Sequence, residues 1–477
     1  MVKDIAQMNR TMKSAGIALL ALVTVTGANA ALTEKDWASK KLGIAPKAVK
    51  TETVGRRTLT WYEHTGDPAW GGNAAYVDKF TVAKPVAGDK AGAPLLVQLH
   101  SRGGGRPTGG ILSMYKGCET KEGVYRAPDD FYVLALDSMR DFDVAANKTH
   151  PEFWWGGSAK FCGPTEKDVP RLRKGETSCE KRVLDSIEWV VRTLKIDRNR
   201  IYLCGNSMGG QGALALGLPH GEIFAAIDAN VPATIWFPCA RMGFIGDDCA
   251  DNAAFDPKAF ADPPFCVDWS GSDDVWSRNH DILYRNMFAH KYAIMGFWGD
   301  YGHCGDLNQA RAKNPLIERF DWLKVVKNAA YPVFTNASTD DKLPWPFSVW
   351  KPKVNTWGGW AGDILGDSQK AIAAGAKPVG QVNAFFRWEN VKDEKRGVVM
   401  NLFLAGKDEL GGFDAPASAT ADVTIRRIQA AKVAPGKLVK WKFGDTAKGS
   451  VKADKDGLIT IPKLTITAKP QKLVLIF

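Results

Sequence analysis

Between residues 94 and 300 the chain passes through six short, almost continuously apolar runs: Pro94–His100, Phe131–Asp137, Ile201–Asn206, Phe224–Asn230, Pro264–Ser270 and Tyr292–Trp298. Apolar residues at nearly every position, rather than every second one, suit strands covered on both faces. Between these runs the period changes. In Cys179–Leu194 the residues Val183, Leu184, Ile187, Val190, Val191 and Leu194 recur at helical spacing, and Gly210–Leu218 and Leu316–Val326 are further helix candidates. Strands alternating with helices predict a parallel α/β sheet with flanking helices.

Past residue 335 the pattern is different. Pro344-Trp345-Pro346 and Trp357-Gly358-Gly359-Trp360 mark a linker-like stretch, and alternating runs follow at Val382–Trp388, Val398–Leu404, Ala421–Ile428, Leu438–Phe443, Leu458–Ile461 and Leu473–Phe477. Turn signals such as Pro435-Gly436 and Asp456-Gly457 separate them, which predicts a small antiparallel β-sandwich. The expected organisation is an α/β unit over 31–335, a linker over 336–360 and a β-sandwich over 361–477.

Length agrees with two units, since 477 residues exceed what one ordinary core organises. The first thirty residues read as a signal peptide. Lys3, Arg10 and Lys13 precede an apolar run, Ala15 to Gly27, and Ala28-Asn29-Ala30 is a small-x-small cleavage site. That places the mature protein outside the cell or in the periplasm. No later run is long enough for a membrane span. All eight cysteines lie between Cys118 and Cys304. In an oxidising compartment this allows disulfides, with Cys162–Cys179 and Cys239–Cys249 as loop-closing pairs. No C-x-x-C pair or His-x-His cluster is present, so a zinc site is not expected, and the serine chemistry centred on Ser207 needs no cofactor. The net charge of +11 divides unevenly: +2 in residues 1–30, zero in 31–340 and +9 in 341–477. A basic C-terminal part could contact an anionic polymer, or could simply be a solvated lysine-rich face. No nucleic-acid partner is expected.

The chemistry centres on Gly205-Asn206-Ser207-Met208-Gly209-Gly210. An apolar strand enters this G-x-S-x-G pattern and a small-residue helix leaves it, a setting that holds a serine in a sharp turn above a sheet. A nucleophilic serine needs a base, and the base needs an orienting acid. His303 follows the last apolar run in the glycine-bounded loop Gly299 to Gly305 and is the expected base. His220 comes too soon after Ser207, and His280 and His290 are expected on the surface of a helix. The acid is expected in Ser270-Gly271-Ser272-Asp273-Asp274-Val275. Gly-x-x-Asp spacing favours Asp274, with Asp273 as the alternative. For the oxyanion, one backbone N–H is expected from Met208. The other is expected from the loop His100-Ser101-Arg102-Gly103-Gly104-Gly105, at Arg102 with Ser101 close behind.

Over roughly residues 55–330 these motifs resemble the α/β-hydrolase superfamily. Leu99-His100, the Ser207 motif, Gly271-Ser272-Asp273-Asp274 and Tyr301-Gly302-His303 are similar to the secreted feruloyl-esterase and polyhydroxybutyrate-depolymerase group. That resemblance implies a serine esterase, acting through an acyl-enzyme on esters of polysaccharides or on polyesters. A partial likeness to glucuronoyl esterases implies a Cys204–Cys304 bridge, although Asn206 rather than Cys precedes the nucleophile. The C-terminal part looks like the accessory modules of polymer-degrading enzymes. A prolyl-oligopeptidase-like peptidase is the other reading of the same triad, but only about sixty residues precede the first predicted strand. Aromatic residues near strand ends could stack on a sugar or phenolic group. Among them Trp155 and Trp276 are the candidates for the substrate wall.

Overall fold

The structure, a computed structural model, describes residues 34–65, 77–101, 127–143, 148–151, 154, 178–232, 235–244, 262–272, 274–277, 280–303, 306–344, 375–445 and 447–477. The expected signal peptide and most of the expected linker lie outside these residues. Among the described residues, no helix is long and apolar enough to cross a membrane.

The strands expected of a parallel sheet form one. They are β4 (Leu95–Leu99), β5 (Tyr132–Leu136), β8 (Ile201–Asn206), β9 (Ala226–Asn230), β10 (Phe265–Gly271) and β11 (Ile294–Gly299). Every residue of all six is buried, which explains their unbroken apolar sequence. The sequence expectation began the sheet at residue 94. Three further strands precede it: β1 (Lys47–Val54), β2 (Arg57–Thr65) and β3 (Val77–Ala83) extend the edge in antiparallel fashion. Their half-exposed alternation, as in β2, gives a weaker apolar signal than a doubly covered strand does. A separate pair, β6 (Met139–Asp143) and β7 (Lys148–Pro151), makes a small antiparallel ribbon. The sheet order β1-β2-β3-β5-β4-β8-β9-β10-β11, parallel from β5 onward, is that of an α/β-hydrolase.

Helix α1 (Glu34–Ser39) lies at the start of the described chain. Helices α2 (Ser178–Leu194) and α3 (Met208–Gly217) cover one face of the sheet, where Val183, Ile187 and Leu214 pack with Val97, Leu203 and Ile227. Helices α4 (Trp236–Arg241), α5 (His280–Ala289) and α6 (Leu307–Lys313) complete the unit. The helix expected over Leu316–Val326 is absent. Glu318 adopts a left-handed φ of 51°, and only the single 3-10 turn Trp322–Lys324 survives. The apolar side chains that suggested it, Ile317, Trp322 and Val325, are buried from irregular backbone instead.

The C-terminal strands form two antiparallel sheets, as the alternation predicted. One has the order β12-β16-β19, from Tyr331–Thr335, Ser418–Arg426 and Ile459–Thr467. The other has the order β14-β15-β20-β17-β18, from Phe386–Glu394, Gly397–Leu404, Gln471–Ile476, Leu438–Phe443 and Ala447–Lys452. The border between the units is interlaced. β12 precedes the linker-like stretch yet belongs to the sandwich, and β13 (Gly380–Val382) follows it yet adds an antiparallel edge to the α/β sheet beside β11. Residues 336–344 are held against both: Asn336 Nδ2 donates to Asp422 at 2.7 Å, and the Asn383 N–H donates to Asp340 at 2.8 Å. The second face of the α/β sheet shares one buried cluster with the sandwich, joining Val267, Met295 and Phe297 to Phe386, Leu402 and Ile461.

Candidate active site

Ser207 stands between β8 and α3 with φ 59° and ψ −116°, a conformation costly for a residue with a side chain. The surrounding glycines make this turn possible. A Cβ at Gly209 would lie 1.8 Å from the Leu99 carbonyl oxygen, and one at Gly205 would lie 2.2 Å from the backbone of Gly209. The turn is pinned from the next strand, since the Ser207 N–H donates to the Asn230 carbonyl at 2.9 Å. The neighbouring loop is pinned too: Ser101 Oγ donates to the Asn206 carbonyl at 2.9 Å.

His303 and Asp274 come from the loops after β11 and β10. Gly271 holds these loops together, because a Cβ there would meet the Tyr301 carbonyl at 2.1 Å. Ser272 N–H also donates to the Gly299 carbonyl at 2.8 Å. The result is a continuous line of three groups. His303 Nε2 is 2.7 Å from Ser207 Oγ, and His303 Nδ1 is 2.7 Å from Asp274 Oδ2. The other Asp274 oxygen accepts the Trp276 backbone N–H at 2.9 Å, so the carboxylate has one orientation. Asp274 is fully buried, whereas the His303 side chain is about one-third exposed. The imidazole is thus fixed by Asp274 on one side and partly open to solvent. Asp273 lies outside the described residues.

Met208 opens α3, so its N–H is among those with no partner inside the helix, next to Ser207 and at the positive end of the helix dipole. Arg102 lies outside the described residues. The start of its loop is anchored by His100, whose Nε2 accepts the Ser138 backbone N–H at 3.0 Å while Nδ1 donates to the Ser101 carbonyl at 2.7 Å. That pattern occupies both ring nitrogens, a structural role.

The aromatic candidates separate. Trp276 is partly exposed, its ring centroid 6.4 Å from that of His303. Trp155 lies outside the described residues. Trp154 is fully buried, donating to the His100 carbonyl at 3.0 Å. Trp269 and Trp298 are also buried, with their indole N–H groups on Glu318 and the Lys377 carbonyl. Among the described candidates, packing claims Trp154, Trp269 and Trp298.

The expectation of a surface position for His280 and His290 needs correction. His280 is fully buried, with Nε2 2.9 Å from Ser270 Oγ and Nδ1 2.9 Å from the Ser277 carbonyl. Its helix α5 packs against β11 and reaches β10 through hydrogen bonds to Ser270 and Asp268, so a polar residue can be internal if its neighbours satisfy it. His290 is half-buried between Phe244 and Tyr292, and burial pushes its imidazole below the usual range. Sequence reasoning also passed over Asp281 in the first turn of α5, whose carboxyl burial pushes up to about 7. Nothing in the sequence pattern distinguishes it from a capping aspartate.

Cys239 and Cys266 are buried thiols, and burial raises both well above the ordinary range. Cys162, Cys249 and Cys304, one partner in each expected bridge, lie outside the described residues.

No protein-family model matches this chain, and no curated protein matches it either. Solved structures do. An S-formylglutathione hydrolase from Agrobacterium tumefaciens aligns at 16% identity over 54% of this chain and 92% of that one, with a TM-score of 0.37. A ferulic acid esterase aligns at 14% identity over 52% and 91%, with a TM-score of 0.32. Dipeptidyl peptidase 4 of Porphyromonas gingivalis aligns at 13% identity over 52% and 32%, with a TM-score of 0.30.

Proposed function

We propose that this chain is an exported serine ester hydrolase that works through an acyl-enzyme, with esters of plant or other polysaccharides as its substrates. The observation that carries the reading is His303 bridging Ser207 Oγ and Asp274 Oδ2 with two 2.7 Å contacts on an α/β-hydrolase sheet. Ser207 Oγ attacks the ester carbonyl while its proton passes to His303 Nε2, and Asp274 stabilises the imidazolium that forms. The Met208 N–H, with a second donor from the Arg102 loop, faces the oxyanion. Collapse expels the alcohol, which takes the proton from Nε2. Water then gives its proton to Nε2 and attacks the acyl carbon, and the acid leaves as Ser207 Oγ recovers its proton. The partly exposed Trp276 ring beside His303 supports an aromatic or sugar-ring wall for the substrate.

The test is acid release from acetylated, feruloylated and methyl-glucuronoylated xylans, together with aryl esters and anilides, by wild type and Ser207→Ala. Release of one polysaccharide acid by wild type alone supports the full reading. Hydrolysis of aryl esters without any polysaccharide acid keeps the esterase and removes the substrate. Turnover of anilides alone would replace it with a peptidase, and absence of fluorophosphonate labelling at Ser207 would remove the mechanism.

A further inference from the structure

A cleft of about 450 Å3 opens where the C-terminal unit meets the α/β unit, between residues 320–331 and the edge strand β14. That volume is in the range of small-ligand sites. Its floor is aromatic. The Phe320 and Trp388 centroids are 5.2 Å apart, and Tyr331 lies 6.4 Å from Trp388. Phe320, Trp388 and Phe403 are only partly buried, so they offer ring surface to the cleft.

The charged groups there decide what the floor can hold. Arg387 is not available to a ligand: its guanidinium is bound to Glu409 and to the Ala384 and Phe386 carbonyls. The exposed rim carries Asp321, Lys324 and Glu389, and Lys324 is already 3.2 Å from Asp321. No surplus of positive charge remains for an anionic chain. Electron-rich ring faces suit the C–H face of a sugar ring, and a rim of carboxylates and an ammonium suits its hydroxyls.

The cleft is also remote from the triad. Trp388 packs 5.7 Å from Phe265, the first residue of β10, whereas Asp274 lies three residues beyond Gly271, the last residue of that strand. Seven strand residues separate the two by roughly 20 Å. We infer that this interdomain cleft binds a neutral oligosaccharide segment, as an anchoring site for a glycan polymer separate from the site of chemistry.

Binding is measured by calorimetry on the full-length Ser207→Ala chain, so the outcome does not depend on any hydrolytic activity. The probes are xylohexaose, cellohexaose and an oligogalacturonate. The expected result is binding of a neutral hexasaccharide, weakened about tenfold by Trp388→Ala and about threefold by the rim double variant Asp321→Ala/Glu389→Ala. Both variants should cleave a small aryl ester at the parent rate when placed in the wild-type background. If Trp388→Ala fails to fold, the rim variant alone decides. The inference is overturned if neither neutral hexasaccharide binds, if the rim variant binds as tightly as the parent, or if only oligogalacturonate binds.

Discussion

Among the described residues, His303 and His220 are each hydrogen-bonded to carboxylates, and their surroundings do opposite things. His303 has one carboxylate, Asp274, on Nδ1 and a neutral hydroxyl, Ser207, on Nε2, and part of its ring meets solvent. His220 is buried between two carboxylates, with Nδ1 2.6 Å from Glu222 and Nε2 2.8 Å from Glu180. Burial alone would push the His220 imidazole down, but Glu222 and Glu180 outweigh it and lift it to about 10. Glu180 is the counterpart. Burial would raise it, yet Arg241 and His220 hold it near 2. A second carboxylate in place of a hydroxyl converts a base that can give and take a proton into a fixed cation. Trp37 Nε1 donates to Glu222 at 3.0 Å, so this cation also ties α1 to the body of the fold.

Replacing Ser207 or His303 by Ala should abolish ester turnover, by about 10⁴-fold or more in kcat, while the thermal midpoint stays within a few degrees. A stopped assay and a melting curve on one preparation check both halves of that expectation. His220→Ala should do the reverse in kind, since it removes the cationic partner of Glu222 and leaves buried Glu180 with Arg241 alone. A loss of about 3–5 kcal/mol of stability is expected, read by urea unfolding, with kcat of the folded fraction unchanged. If His220→Ala lost turnover at full stability, the division of roles between the two imidazoles would be wrong.

Gly209→Ala should cost about 1–3 kcal/mol and also slow turnover, because the added methyl collides with the Leu99 carbonyl under the nucleophile turn. Denaturation and kinetics of that variant separate it from both histidine substitutions. The pH dependence sharpens the contrast further. The folded pKa of His220 lies above its unfolded value of about 6.5. Its stabilisation is therefore complete below that value and is lost as pH rises toward about 10. The stability of wild type should decline over that window, and His220→Gln should flatten this part of the curve. The smallest effect is expected from Arg56→Ala, whose exposed pair with Asp129 should contribute less than about 1 kcal/mol.

The turn at Ser207 was legible because it is local. The strand Ile201–Asn206, the turn and the helix are contiguous, and glycines at 205, 209 and 210 announce the close approaches that the backbone needs. The order Ser207, Asp274, His303 follows from strand succession, so His303 could be chosen from position alone. Which of two adjacent aspartates reaches it depends on how the β10 and β11 loops pack at Gly271 and Tyr301, and spacing only favours one. The burial of His280 was illegible because a helix of mixed polarity reads as exposed until its partners are known. Ser270 and the Ser277 carbonyl supply them here.

By itself the sequence determined the six doubly covered strands, the strand–turn–helix around Ser207 and the change to an antiparallel region, because each is written in its own local residues. Only the tertiary structure decided the exchange of β12 and β13 across the border, the shared core beneath them and the aromatic cleft at their junction. Those features depend on which surfaces meet. Segments hundreds of residues apart carry equivalent apolar patterns, and only packing selects among their possible partners.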